Sequence, residues 1–239
     1  MSSLFEELDY RDTALGRLIL RRRTMATLAD TVVYEVILDD DFLMTSLFHT
    51  AEEALADLGI AAATRRSLDV VVGGLGLGYT AAAALRHPEV RSLHVIDYLQ
   101  PVIDWHRTGL VPLGSELCCD SRCRLILADF FALAAPTGSG FDPDRPGRRF
   151  DAVLLDIDHS PDQWLDPAHA AFYSASGLRA LRSRLLPGGV FAMWSDGAPQ
   201  ADFTQLLQQV FSSVRAETVR FPNPVQGGES SSTVYVAVS

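Results

Sequence analysis

The chain has 239 residues, 48% of them hydrophobic and 21% charged, with a formal net charge of −10. That length allows a sizeable core in one domain, or one domain with a small appendage. The acidic balance argues against nucleic acid as a partner, and no apolar run reaches the roughly 18–20 residues of a membrane span. The opening MSSLFEELDYRD is acidic without an apolar centre, so it does not read as a signal peptide.

The first forty residues read as β. A turn at Gly16 precedes the alternating run RLILRRR, and TVVYEVILDD is a second β-rich run. Arg21, Arg22 and Arg23 read as a solvated strand end. A helix follows in MTSLFHTAEEALADLG, with Leu47, Ala51, Ala54, Leu55 and Leu58 on one face and Gly59 as its stop.

From Leu68 strands and helices alternate. LDVVVGG leads into YTAAAALRH, SLHVID into PVIDWHRTG, CRLILAD into FFALAA, FDAVLLDID into AFYSASGLRALRSRLL, and GGVFAMWSD into ADFTQLLQQVF. The strands are continuously apolar, the pattern of strands buried on both faces of a parallel sheet. VRAETVRF and STVYVAVS close the chain as an antiparallel pair. The expected fold is α/β: a Rossmann-like, doubly wound, mainly parallel sheet with a C-terminal antiparallel β-pair and a small N-terminal β segment. The expected division is residues 1–45 for that segment and 46–239 for a nucleoside-binding catalytic domain. Residues 136–149, rich in Gly, Pro and charge, read as a mobile surface loop.

Cys118, Cys119 and Cys123 form an odd, local set. That is neither a disulfide framework nor a four-ligand zinc site, so no metal is expected and a reduced, cytoplasmic protein is the default.

The chemistry gathers at the strand ends. Gly74, Gly76 and Gly78 make Gly-x-Gly-x-Gly, with Tyr79 where a dinucleotide fingerprint would place its last glycine. Such a loop lets a ligand approach the backbone. Asp97 ends the second strand of the alternating region, Asp129 the third, and Asp156 and Asp158 the fourth. Ligands of open α/β sheets bind at the carboxyl ends of strands, so these acids converge on one crevice. An acid in the position of Asp97 suits ribose hydroxyls.

These motifs resemble the spermidine synthase-like group of the class I S-adenosylmethionine-dependent transferase superfamily. The resemblance spans most of the chain. It is strongest over residues 68–158 and in FYSASGLRALRSRLLPGGVFAMW, which is similar to that group's helix, Pro-Gly-Gly turn and strand. DSRCRLILADFF likewise resembles its Asp-Pro-Arg stretch leading to Gly-Asp-Ala. The resemblance implies that Gly74, Gly76 and Gly78 pass the methionine-derived part of the donor. It places Asp97 on ribose, Asp129 on the adenine amino group, and Asp156 as the acid that deprotonates an attacking amine. Glu52 keeps the Glu of a Tyr-His-Glu stretch, with Ala51 at the His position and His49 two residues earlier.

Departures accompany the match. The loop GGLGLG has Gly76 in place of an Asp. Asp-x-x-Asp-Pro has become DIDHSP, leaving Asp158 or His159 as the replacement for the second acid. PNPVQGG lacks the Tyr of Pro-Thr-Tyr-Pro-x-Gly. Trp164 follows at the length of a lid loop, and Trp194 closes the fifth strand of the alternating region.

The implied catalytic residues are therefore Asp156 and Asp158, and the implied acceptor contacts Glu52, His159 and Trp164. The expected activity is aminopropyl transfer from decarboxylated S-adenosylmethionine to a small amine, releasing methylthioadenosine. Methyl transfer from S-adenosylmethionine to a small metabolite, and nucleoside binding without turnover, stand as alternatives. A homodimer is implied by the resemblance alone.

Overall fold

The computed structural model describes residues 5–239, so Met1–Leu4 of the N-terminal segment lie outside the described residues. Four strands, β1 (Phe5–Thr13), β2 (Gly16–Met25), β3 (Thr31–Leu38) and β4 (Asp41–Thr45), form an antiparallel meander in that order. Alternation along β2 and β3 buries Leu18, Leu20, Val36 and Leu38, which pack into the main core. The arginine run of β2 is paired rather than solvated. Arg21 and Arg23, two residues apart on one face, bracket the buried Glu35 at 2.5 and 2.8 Å, and Arg22 pairs with Glu6.

Seven strands make the second sheet: β5 (Leu68–Gly73), β6 (Val90–Asp97), β7 (Cys123–Leu127), β8 (Phe150–Leu155), β9 (Leu185–Asp196), β10 (Ser213–Pro222) and β11 (Glu229–Val238). Their spatial order is β10-β11-β9-β8-β5-β6-β7, and only β11 runs against the rest. Side chains alternate between two cores. Val70, Val72, Leu154 and Ala192 face one, while Val71, Val153, Leu155 and Phe191 face the other. The doubly wound, mainly parallel sheet and its terminal antiparallel pair are those expected. The order reverses between β5 and β8, which opens a crevice beyond their carboxyl ends.

Helices α1 (Thr50–Ala61), α2 (Tyr79–Leu85), α3 (Gln100–Arg107) and α4 (Gly114–Cys119) cover one face. On the other lie α5 (Phe130–Ala134), α6 (Ala175–Ser183) and α7 (Ala201–Gln208). Gly59 does not stop α1. It lies buried within the helix, where an added Cβ would meet Leu154 Cδ2 at 2.5 Å and Ala192 Cβ at 3.1 Å. Its missing side chain lets α1 sit directly on β8 and β9. The helix expected over residues 171–186 is shorter, because Ser174 caps α6 by accepting from the Gly177 amide, and Leu185 already belongs to β9. A 3₁₀ turn, Pro167–Ala171, precedes it.

The 136–149 loop is anchored rather than free. Phe141 is fully buried and stacks on Phe130 at 5.0 Å. Arg148 reaches Asp69 at 2.8 Å and Asp142 at 2.9 Å. No helix among the described residues is long and apolar enough to cross a membrane.

Candidate active site

A cavity of about 930 Å³ opens beyond the carboxyl ends of β5, β6, β8 and β9, roofed by the N-terminal meander. Its base is the turn after β5. Gly74, at φ 95°, lies so close to the Asp156 carbonyl that any Cβ would collide with it, and Gly76, at φ 48°, passes under the Met44 sulfur. Both conformations favour glycine, and both close approaches exclude a side chain. Met44 Sδ also accepts from the Leu77 amide at 3.1 Å, so β4 reaches across and clamps the loop. Gly74 and Gly76 line the cavity. Gly78 does not: its missing Cβ makes room for Leu117 and His106 behind α2, which is a packing role.

Asp97 closes β6 and organises the same loop. Its two carboxylate oxygens accept from the Leu75 amide at 2.9 Å and the Leu99 amide at 2.8 Å. Burial raises its pKa, and the amides of Leu99, Leu75 and Gly76 pull it back. Asp129 caps α5, with Oδ1 accepting from the amides of Phe131 and Ala132. Asp129 Oδ2 makes no hydrogen bond among the described residues, and the residue lines the cavity.

Asp156 ends β8 at the centre of the cavity. Thr80, the one threonine in the alanine-rich α2, donates to its Oδ2 at 2.7 Å. Glu52, in the first turn of α1, lines the same space. Burial pushes the Glu52 carboxyl up to about 8, with the Asp156 charge adding to the rise. Burial lifts Asp156 to about 6 against the Thr80 hydrogen bond, which lowers it. Near neutral pH the pair therefore shares one proton and one negative charge.

The expected acids do not all meet there. Asp158 does not face the cavity. Its side chain is fully buried and accepts from the Leu165 amide at 2.8 Å, His169 Nδ1 at 2.9 Å and the Tyr173 hydroxyl at 2.8 Å. Burial and the Asp158 charge hold the Tyr173 phenol well above its usual range, so it remains a donor. The backbone turn that sends Asp158 inward brings His159 to the cavity instead, and the Asp196 amide donates to the His159 carbonyl at 2.7 Å. Trp164, expected as an acceptor contact, also lies outside. It is 38% exposed and its indole N–H is spent on the Pro161 carbonyl at 2.8 Å.

Sequence reasoning missed Met44, Thr80, Asp166 and His169. Thr80 had one sequence signal, as the lone threonine before a run of alanines after a glycine loop. The others come from distant segments whose approach is a property of the tertiary fold. Trp194 does line the cavity, with its indole nitrogen buried and unpaired.

The cavity's charge is one-sided. Six acidic side chains line it, those of Glu52, Asp97, Asp129, Asp156, Asp166 and Asp196, and no arginine or lysine does so among the described residues. Such a site attracts cations and gives an anionic group no partner. His/Cys/Asp/Glu groupings able to hold a metal ion are absent among the described residues.

No protein-family model matches the chain. A stretch of 168 residues is 32% identical to a polyamine aminopropyltransferase of Prochlorococcus marinus (strain MIT 9313), taking in 66% of this chain and 52% of that protein. The chain thus spans about half the length of the curated relative it matches. Among solved structures, a spermidine synthase in complex with the transition-state analogue AdoDATO superposes with a TM-score of 0.73 at 16% identity, covering 97% of this chain and 73% of that one. Spermidine synthase from Thermotoga maritima superposes with a TM-score of 0.71 at 16% identity, covering 97% and 72%. The chain therefore shares its fold with spermidine synthases, and over about two thirds of its own length it is similar in sequence to a polyamine aminopropyltransferase.

Proposed function

We propose that this protein transfers an aminopropyl group from decarboxylated S-adenosylmethionine to a small primary amine, releasing methylthioadenosine. The observation that carries this reading is the cavity of six acidic side chains with no arginine or lysine among the described residues. The intact donor brings a carboxylate that would find no cationic partner there. The decarboxylated donor, a sulfonium with an ammonium tail, brings only positive charge. The kinship with a polyamine aminopropyltransferase supports the same chemistry.

In this reading Asp97 takes the ribose hydroxyls, and Asp129 uses its free Oδ2 for the adenine amino group. Gly74 and Gly76 let the loop pass close against the Asp156 carbonyl and Met44 at the base of the donor site. The acceptor enters as an ammonium, drawn to the single charge of the Glu52–Asp156 pair, and passes a proton to Asp156. The freed lone pair attacks the aminopropyl carbon bonded to sulfur. The new N–C bond forms as the C–S bond breaks, and the sulfur electron pair leaves with methylthioadenosine. The donor is already activated, so the residues mainly align and deprotonate the nucleophile. His159 lines the acceptor side in place of a second acid.

Methyl transfer has one observation in its favour: Gly76 leaves no acid on the loop to hold a donor's amine end, and Met44 fills the space above it. The test is to incubate the protein with each donor and a panel of small amines, and to identify the released nucleoside by mass spectrometry. Amine-dependent methylthioadenosine from the decarboxylated donor is expected. S-adenosylhomocysteine from the intact donor would replace this reading with methyl transfer, and no product from either would leave a binding protein.

A further inference from the structure

Asp158 and His169 form a unit that the proposed transfer chemistry does not use. The Asp158 side chain is fully buried, and each of its oxygens is spoken for: Oδ1 by the Leu165 amide and His169 Nδ1, Oδ2 by the Tyr173 hydroxyl. The His169 ring lies on Phe131, with centroids 3.8 Å apart and planes 23° from parallel. The ring is therefore fixed both in plane and in rotation. His169 lines the cavity. Its Nε2 makes no hydrogen bond and is not among the buried unpaired atoms, so it remains open to the cavity.

The position of this ring decides what it meets. Phe131 is two residues past Asp129, and Phe131 and Ala132 line the cavity beside it. Along the sheet this is the β7 end, opposite the β9, β11 and β10 end where Trp194, Ser232 and Phe221 line the cavity. A buried carboxylate that holds one imidazole nitrogen sets which edge the other presents.

The geometry points to His169 as a positioning residue for the donor's nucleoside, its Nε2 hydrogen-bonding the base and its ring oriented through Nδ1 by the buried Asp158. This inference rests on the proposed nucleoside donor. Three groups then hold the nucleoside: Asp97, Asp129 and His169. The acid expected at Asp158 serves the reaction through the histidine it orients, at the far end of the cavity from the amine.

The test measures binding of methylthioadenosine by calorimetry to the wild type, His169→Phe and His169→Gln, with melting temperatures as a control for folding. Phe keeps a ring on Phe131 but has no nitrogen, and it leaves Asp158 its Leu165 and Tyr173 partners. Gln loses the ring but keeps a polar group near the Nε2 position. One neutral hydrogen bond is worth about 1 kcal/mol, so His169→Phe is expected to bind roughly fivefold more weakly and His169→Gln within about twofold of wild type. In turnover, His169→Phe raises the KM for the donor and leaves the KM for the amine unchanged. If His169→Phe binds as well as wild type, or if both variants weaken equally, the hydrogen-bonding role is overturned. If the wild type itself binds no methylthioadenosine, it is the nucleoside reading that fails.

Discussion

Replacing Asp156 by Asn separates the two consequences of placing a carboxylate at the centre of an acidic cavity. The amide is nearly isosteric and still accepts from the Thr80 hydroxyl, so the fold is retained. The proposed proton acceptor for the amine is lost, and turnover is expected to fall by about 10²–10⁴. Stability moves the other way. Asp156 is lifted from 3.8 to about 6 in the folded chain. A carboxyl whose folded pKa is raised contributes stability that is fully present below its unfolded value and lost as pH rises through the folded one. Above about pH 6 the native protein therefore carries the cost of an ionised, desolvated carboxylate beside Glu52. A shift of about two pKa units corresponds to at most ~3 kcal/mol, and solvent in an open cavity reduces it to the order of 1 kcal/mol. For a chain of this size that is a Tm change of about 2–4 °C. Calorimetric scans at pH 4 and pH 8, with turnover measured on the same samples, give the comparison. The variant should melt higher than wild type at pH 8, show no such advantage at pH 4, and be inactive. Equal melting differences at the two pH values, or retained activity, would refute the reasoning about this residue.

Thr80→Val removes a hydrogen bond that stabilises the charged form of Asp156. The Asp156 pKa should rise, and the acid limb of the kcat/KM profile should move to higher pH, with little change on the alkaline side. Gly59→Ala drives a methyl group into Leu154 and Ala192 across the α1–sheet contact. Overpacking of this kind costs about 1–3 kcal/mol, seen as a lower midpoint in denaturant unfolding.

The sheet was legible because its strands are apolar on both faces. In LDVVVGG and FDAVLLD that run has no polar partner face, so a two-sided core was the only consistent burial, and Val70 and Val71 do face opposite cores. The convergence of Asp97, Asp129 and Asp156 was legible for a related reason: parallel strands carry their last residues to one edge. Side-chain direction within a turn was not legible. Asp158 and His159 are neighbours in DIDHSP, yet one is buried against Tyr173 and the other faces the cavity. Nothing in residue type distinguishes them, since the choice depends on where Leu165, His169 and Tyr173 return in space. Gly59 misled for its own reason. A helix-ending glycine and a close-packing glycine look alike until the facing Leu154 is known. The anchoring of the 136–149 loop was hidden behind its composition, because one buried Phe141 outweighs many glycines and prolines.

The central claim is that the cavity's charge selects a donor without a carboxylate, and paired calorimetric titrations with decarboxylated and intact S-adenosylmethionine test it most directly. Six acidic side chains and no arginine or lysine among the described lining residues predict at least tenfold tighter binding of the decarboxylated donor, with the ratio shrinking as added salt screens the cavity. Equal affinities, or tighter binding of the intact donor, would contradict the account.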